Sequence, residues 1–439
     1  MTRDEAQQLV ETILGYAIVP EAEVRVNVTR RGFLRFARNQ PTTAGETASA
    51  SVSFTAWKGK RRASVLGTIE ILGGRLDETA LKKLVADAED LAAISPEDRE
   101  YMPPLGPQEY LKVDAFDEAT ATAGAKKRAQ IAADAIAYAK EKNVRAAGFL
   151  DQTARYSAVA NAKELFAYHP STSVEFSITA RTLDETGSGY SRIESQAHRS
   201  IDVREAAAIA VRKAVASRKA SEIKPDAYPT VLEPLAANDL LGTFRFDSRF
   251  AEEGRSVFSA PEGNTRVGER LFDKRLTIRG DPSHPLVPSS PIGPGGYPVE
   301  KSVLVEEGVL KTLQSSRWWA AQKEREPGPF TTNLILEGGR KSLREIIQST
   351  KKGVLVSRFW YIRTVDRRQA LVTGLTRDGT FWIEDGEIAH PIMNFRFNES
   401  MVRILGDLEE LGQPVRVGRR MTPSLRARAF HFTSLSDAV

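Results

Sequence analysis

Two periodicities of apolar residues divide the start of the chain into strands and helices. After one short helical segment, valines alternate with polar residues over 23–30, which predicts a strand with one buried face. Residues 49–57 and 62–71 flank the glycine-containing turn 58–61 and predict a hairpin. Apolar residues then recur three and four positions apart, and Asp77 stands where it can cap the helix that this spacing predicts.

The same alternation of periods continues to about residue 220. Residues 117–142 are rich in alanine and predict one long helix, whereas 145–183 return to a period of two and predict three strands. Asp202 and Glu205 have the spacing of a capping box at the start of a helix over 203–219. This half is therefore expected to be an α+β domain, a mixed sheet with helices.

A change of composition predicts a domain boundary near residue 222. The segment 223–229 contains two prolines among polar residues, and glycine and proline become frequent beyond it. We therefore predict an N-terminal domain over 1–222 and a C-terminal domain over 223–439. Asp-Gly pairs at 378–379 and 385–386 predict hairpins, so the second domain is expected to be mostly antiparallel β-sheet, barrel- or sandwich-like, with a few helices.

Composition narrows the functional classes. With 439 residues, 41% hydrophobic and 27% charged, the chain can bury a sizeable core, which excludes intrinsic disorder. Zero cysteines excludes disulfides, thiolate metal sites and cysteine nucleophiles. The net charge of +5 comes from interspersed residues of both signs and gives little reason to expect nucleic-acid binding. With neither a signal-peptide pattern nor a long apolar run, we expect a cytoplasmic protein without membrane association.

Motifs for common catalytic chemistries are missing. The five histidines include no pair four residues apart, so the helix-borne zinc pair of metalloproteases is not present. Gly187-Ser188-Gly189 lacks the spacing of a nucleophile elbow and predicts a flexible loop. The glycine-rich segment 293–296 has no following Lys-Ser/Thr, so it does not resemble a phosphate-binding loop.

The most unusual local feature is a cluster of aromatic residues among arginines. Phe359-Trp360-Tyr361 lies between Arg358 and Arg363, and strand alternation places Phe359 and Tyr361 on one face with Trp360 on the other. A core strand explains this pattern, and so does a groove that binds extended peptide by strand addition. The candidate groove residues are Trp360, Tyr361, Arg363 and Arg377.

Several segments of the second half together resemble the TldD/PmbA (TldE) family. They are residues 332–339, 359–366, 373–388, 394–400 and 430–436. The N-terminal half is similar to the family only in its layout. The resemblance implies a cytoplasmic two-domain protein from a family of zinc-dependent peptidases. In this family a TldD-like subunit pairs with a TldE-like one to degrade unfolded peptides or trim modified ones, and an older description makes its members modulators of DNA gyrase.

The chain departs from the family's zinc motif. TldD-like members bind zinc through a His-Glu-x-x-x-His helix near the start of the C-terminal domain and through a later cysteine. The corresponding stretch here, 232–242, contains no histidine, and the chain has no cysteine. A catalytic zinc needs about three protein ligands. The chain therefore resembles TldE, with no catalytic or metal-binding residue assigned and with zinc expected only in a TldD-like partner.

Three functions stay open at this point. The first is a non-catalytic subunit that pairs with a TldD-like chain, or with a second copy of itself, around a peptide substrate. The second is a metallopeptidase whose metal site is rebuilt from scattered histidines and acids. The third is a self-associating scaffold or a gyrase-linked binding protein.

Overall fold

The computed structural model of the chain describes residues 1–69 and 77–437, and its first part is built on a six-stranded sheet. The strands are β1 (Glu21–Ala37), β2 (Gln40–Lys58), β3 (Arg61–Ile69), β4 (Arg145–Asn161), β5 (Phe166–Arg181) and β6 (Ser188–Ser195). They lie in the order β3-β2-β1-β4-β5-β6, and every neighbouring pair is antiparallel. The predicted hairpin is confirmed, although its last two predicted residues, 70 and 71, lie outside the described residues.

The first sheet is antiparallel throughout, where a mixed sheet was expected. Arg38 and Asn39, which join β1 to β2, both have positive φ angles, 52° and 60°. Two central residues of this kind form the tight turn whose twist matches a hairpin. Long strands joined by such short turns can return only antiparallel, because a parallel return needs a crossover of a dozen or more residues.

Helices cover one face of this sheet, and a smaller apolar cluster around Val159 and Ala167 is buried on the opposite face. The helices of this half are α1 (Arg3–Leu14), α2 (Glu78–Ile94), α3 (Glu118–Ala121), α4 (Ala125–Glu141) and α5 (Val203–Ala216). Helices α1 and α2 pack on one end of the covered face, where Val24 and Val26 are buried. Helices α4 and α5 pack on the other end, over Leu34 and Phe36. Asp77 and Asp202 both accept a backbone N–H of the first turn, which confirms the two predicted N-caps, but the reciprocal bond that would complete a capping box at Asp202 and Glu205 is not among those of the described residues.

The single helix predicted over 117–142 is interrupted after α3. Gly124 precedes α4 and provides no side-chain cap. The amide of Gln152 donates to the carbonyl oxygens of Thr120 and Ala123, and Arg128 Nη1 also donates to Ala123. These side chains satisfy carbonyl groups that a continuous helix would have bonded internally, so the break is stabilised by contacts that are distant in sequence.

The second half forms an eleven-stranded sheet. Its strands are β7 (Ala227–Leu232), β8 (Thr277–Gly280), β9 (Ser302–Glu306), β10 (Val309–Leu310), β11 (Leu334–Glu337), β12 (Lys352–Asp366), β13 (Leu371–Glu384), β14 (Glu387–Pro391), β15 (Asn394–Ser400), β16 (Leu408–Val417) and β17 (Arg420–Ser436). Its helices are α6 (Pro234–Leu241), α7 (Ser248–Glu252), α8 (Arg317–Gln322), α9 (Leu343–Gln348) and α10 (Met401–Gly406). Among the described residues no helix is long and apolar enough to cross a membrane.

Five strands of the second sheet close into a ring. The path β17-β15-β13-β12-β7 returns to its start because β7 pairs with β17 as well as with β12. The pairs β7–β12 and β11–β17 are parallel and the other neighbouring pairs are antiparallel. Phe359, Phe397 and Phe430 pack with ring centres 4.7–5.6 Å apart inside this ring. The α+β class is confirmed, with a barrel-like closure in the second half.

Gly148 in β4 lies at a tightly packed point of the first sheet. A Cβ added at Gly148 would overlap the ring of Phe36 and lie 2.5 Å from the carbonyl oxygen of Ser177. Because overpacking of this kind forces backbone shifts, we expect Gly148→Ala to destabilise this sheet by about 1–3 kcal/mol. Urea unfolding followed by circular dichroism measures the change. Gly106→Ala is the matched control, since its Cβ would meet nothing nearer than 4.0 Å, and an equal loss in both variants would contradict the prediction.

Candidate functional site

A β-bulge in β12 brings two aromatic rings to the surface. Trp360 pairs with Leu375 and Arg363 with Thr373, so Tyr361 and the next residue together oppose a single residue of β13. Tyr361 has a φ of 56°, a left-handed conformation that is strained for a bulky side chain. The bulge breaks the alternation, so the prediction that Tyr361 shares a face with Phe359 is wrong. Phe359 is 4% exposed, whereas Trp360 and Tyr361 are 44% and 58% exposed.

Each exposed ring is covered by an arginine. The guanidinium carbon of Arg377 lies 4.3 Å from the centre of the Trp360 ring, and that of Arg363 lies 4.3 Å from the centre of the Tyr361 ring. The two rings are 5.7 Å apart. All four candidate groove residues therefore lie in one patch, which we call the aromatic–arginine patch. Its role in binding peptide stays a prediction.

Two adjacent tryptophans, Trp318 and Trp319, lie outside this patch and pack two helices together. Trp318 and Trp319 lie in the first turn of α8, and the guanidinium of Arg249 lies 5.3 and 5.2 Å from the centres of their rings. Trp319 Nε1 also donates to Glu252 at 3.0 Å. These contacts hold α8 against α7 and do not contribute to the aromatic–arginine patch.

A buried carboxylate next to the patch links the two sheets. Asp378 is 2% exposed, and its Oδ2 lies 2.7 Å from Nε of Arg358. Its Oδ1 accepts a hydrogen bond of 2.5 Å from the hydroxyl of Ser188 on β6. Arg358 in turn lies over the ring of Tyr190, also on β6, at 4.0 Å. The sequence predicted a hairpin at Asp378-Gly379, and that prediction is wrong, because the pair lies inside β13.

Ser188 is also not the loop residue that its glycine neighbours predicted. It begins β6 and is buried. A Cβ at Gly187 or Gly189 would overlap backbone oxygens of α5, so both glycines permit a close approach of this helix. The only sequence signal was the placement of a serine between two glycines, and this pattern fits a close contact as well as it fits flexibility.

Helix α6 occupies the position where the resemblance expects the zinc helix. Its residue Asp239 accepts a hydrogen bond of 3.2 Å from the N–H of Phe359. Burial raises the pKa of Asp239 to about 6, even though that hydrogen bond favours the charged form. The neighbouring Asn238 accepts from Nη1 of Arg420 at 3.2 Å. The guanidiniums of Arg358 and Arg420 act on Asp239 as nearby positive charges, and so does that of Arg192 on β6.

This set of groups does not suit a zinc ion. Helix α6 contains no histidine, and its polar side chains are the amide of Asn238 and the carboxylate of Asp239, which already accepts a backbone N–H. Cationic guanidiniums surround it and would repel a divalent cation. Over residues 1–69 and 77–437 no group of three or more His, Cys, Asp or Glu side chains could hold a metal ion.

The strand that carries the patch has one open side. Strand β7 pairs with β12 only at residues 354–356, and the N–H of Glu233 then donates to the carbonyl oxygen of Val356. Beyond that point no strand in the described ranges pairs with this side of β12. The carboxylate of Asp239 bonds the Phe359 N–H there instead of a neighbouring strand. Helix α6 covers this edge at residues 357–359, so the part of it that can accept an extended peptide begins at Trp360.

The raised pKa of Asp239 predicts a pH dependence of stability. Its folded value of about 6 lies above the unfolded value, so the folded state binds the proton more tightly. Stability from this group is therefore fully present below about pH 4 and is lost as pH rises through about 6. Asp239→Asn keeps the acceptor without the titration. We expect the free energy of unfolding of the variant, relative to that of wild type, to increase by about 1–2 kcal/mol between pH 4.5 and pH 8. Urea unfolding at the two pH values measures this difference.

A difference between wild type and this variant that is the same at both pH values would contradict the assignment. Asp366→Asn serves as the control, because its carboxylate lies at the other end of the same strand and accepts hydrogen bonds from the turn that follows.

Comparison with known proteins supports the same fold. A crystal structure from Thermotoga maritima, named as a modulator of a DNA gyrase, matches with a TM-score of 0.85 and 18% identity, over 98% of this chain and 100% of that one. TldE from Thermococcus kodakarensis matches with a TM-score of 0.83 and 19% identity, over 98% and 99%. A Bacteroides thetaiotaomicron protein, also named as a modulator of DNA gyrase, has a TM-score of 0.85 and 17% identity, over 99% and 100%.

Sequence comparison identifies the second half. A protein named metalloprotease from Methanothermobacter thermautotrophicus is 27% identical over 227 residues, which are 47% of this chain and 47% of that protein, so the match spans about half of each. The family model of the PmbA/TldA metallopeptidase C-terminal domain matches residues 225–434. The segments that resembled TldD, PmbA and TldE all lie within or next to this match. Residues 225–434 of this chain therefore form a C-terminal domain of the TldD/PmbA family.

Proposed function

We propose that this chain is a non-catalytic, TldE-like subunit of a two-subunit zinc peptidase. It would pair in the cytoplasm with a TldD-like chain that carries the zinc, and help to hold unfolded or modified peptides. The observation that carries this proposal is the composition of α6, where Asn238 and Asp239 lie among guanidiniums and no imidazole is available. Such a helix has nothing to lower the pKa of a bound water.

The chain's own contribution would be to hold substrate. The open side of β12 offers backbone groups to an extended peptide, and backbone pairing tolerates many side chains. The rings of Trp360 and Tyr361 add apolar contact area beside that edge. Arg363 and Arg377 hold the rings in position and add positive charge. A subunit with these features can bind a broad range of peptides without chemistry of its own.

A second candidate is a gyrase-linked binding protein. Two proteins with the same fold are named as modulators of DNA gyrase, and that naming is the observation that favours it. Co-purification from the native host, followed by mass spectrometry, separates the candidates, because a TldD-like chain is expected as the main partner under the first and gyrase subunits under the second. A second copy of this chain as sole partner would contradict the pairing with TldD.

The metal content of the purified chain tests this proposal directly. Because the chain has no cysteine and α6 has no histidine, we expect well under one zinc per chain after dialysis, measured by elemental analysis. The TldD-like chain from the same organism, prepared identically, is the control and should retain zinc. One tightly held equivalent in this chain, lost together with peptidase activity in His390→Ala or His284→Ala, would mean that a metal site is rebuilt elsewhere.

A further prediction concerns the aromatic–arginine patch. The double variant Trp360→Ala/Tyr361→Ala removes exposed contact area beside the open edge, while backbone pairing can continue. We therefore expect peptide release from an unfolded protein by the mixed pair to fall modestly, by about 3–10-fold. Ile18→Ala, which truncates a side chain that is 88% exposed on the first half, is the control and should leave release unchanged.

Peptide release at the wild-type rate by the double variant would show that the patch does not contact substrate. A mixed pair that fails to form, or has no more activity than the TldD-like chain alone, would contradict the subunit role itself. Light scattering on the mixture distinguishes these two outcomes.

A further inference from the structure

A cavity at the end of α6 collects positive charge. It has a volume of about 450 Å³, within the size range of ligand pockets. Phe244 and Phe246 form an apolar wall. The polar lining consists of Asn238, Arg245, Gln314, Thr331, Thr332, Asn333, Arg419 and Arg420. Among the described residues no carboxylate lines it.

A second cavity adjoins the first along the segment 242–246. Its volume is about 420 Å³, and it shares Phe244 and Arg245 with its neighbour. Arg255 and Arg367 line it as well, and again no carboxylate does so within the described ranges. The guanidiniums of Arg245 and Arg255 lie at 3.9 and 4.0 Å from the centre of the Phe250 ring. Five arginines therefore face two adjoining cavities.

Nearby acids do not fully balance these charges. Arg245 has Asp247 at 3.4 Å and Arg255 has Glu253, but both acids lie outside the cavity linings. Within the described part of the chain, Arg419 makes no ion pair.

The deepest of these groups is the guanidinium of Arg420. Burial lowers its pKa, Asp239 opposes that shift and Arg419 adds to it. The hydrogen bond from Arg420 to the side chain of Asn238 uses one of the five N–H donors of the guanidinium. An anion in the cavity would meet the remaining donors and lower the repulsion among the arginines.

We propose that the two cavities form one binding site for an acidic peptide segment, with its carboxylates held by Arg245, Arg419 and Arg420. The peptide nature of the ligand rests on the proposed function. The anionic nature rests on the lining alone, because guanidiniums bind carboxylates through paired N–H donors. The phenylalanine wall accommodates the apolar parts of such a segment, and the side chains of Gln314 and Thr331, which are hydrogen-bonded to each other, add polar lining. The site would select acidic peptides before they reach a partner's zinc.

Peptide binding by the full chain alone tests this assignment. The probe is a fluorescein-labelled, unstructured peptide with several Asp and Glu residues, compared by anisotropy with the same peptide carrying Asn and Gln. Because charge-assisted hydrogen bonds are lost, we expect the amide peptide to bind at least about 10-fold more weakly. Affinity for the acidic peptide should also fall as salt concentration rises.

Three variants locate the binding. Arg419→Gln changes an exposed side chain without an ion pair, so the fold should be unaffected, and we expect about a 5–10-fold loss of affinity. Arg245→Gln/Arg419→Gln should lose more. Arg344→Gln, an exposed arginine on α9, is the matched control and should stay within about 2-fold.

Equal binding of the acidic and amide peptides would overturn the proposal, and so would an equal loss in Arg344→Gln. Inorganic phosphate that displaces the peptide at equal concentration would assign the cavities to a phosphate ligand and overturn the peptide assignment. Because no partner is used, acidic-peptide binding by a chain that fails to assemble with TldD would refute the subunit role and leave this site in place.

Discussion

The buried carboxylate of Asp378 is the constraint on which the arrangement of the site depends. It accepts a hydrogen bond from Ser188 on the first sheet and lies beside Arg358 on the second. Removing one partner of a buried ion pair typically costs about 3–5 kcal/mol, because the remaining charge stays buried without compensation. Arg358 also packs on Tyr190, so the same guanidinium contacts both sheets. The two halves are therefore held together next to the point where β12 loses its second strand partner.

The surface features follow from that anchor and from one bulge. Arg377 precedes Asp378, and its side chain leads to the ring of Trp360. The bulge at Tyr361 rotates the second ring next to the first, at the cost of a left-handed backbone for a bulky residue. Strain of about 1–3 kcal/mol at such a position persists only where the surrounding structure fixes it. Here the flanking pairs with β13 fix it.

Electrostatics gives α6 a character opposite to that of a zinc helix. Imidazoles and a thiolate would attract a divalent cation, whereas Asp239 lies among guanidiniums from both sheets. The same excess of arginine continues past the end of α6 into the two cavities. A site of this charge favours anions, which is consistent with a chain that holds a peptide while another chain would supply the metal.

The spacing of apolar residues and the residues that cap helices determined much of the fold, because both act between neighbours in sequence. Asp77 caps its helix as predicted, and Asp385-Gly386 forms the predicted turn, with φ angles of 50° and 80°. The chemically similar Asp378-Gly379 became a buried bulge, because Ser188 and Arg358 surround the carboxylate from elements distant in sequence. The sequence also grouped Trp360, Tyr361, Arg363 and Arg377 as one candidate groove. It could not predict the bulge at Tyr361, because that bulge depends on how β12 pairs with β13. Local patterns fix where elements begin and end, while partners of a buried charge are chosen only when the sheets meet.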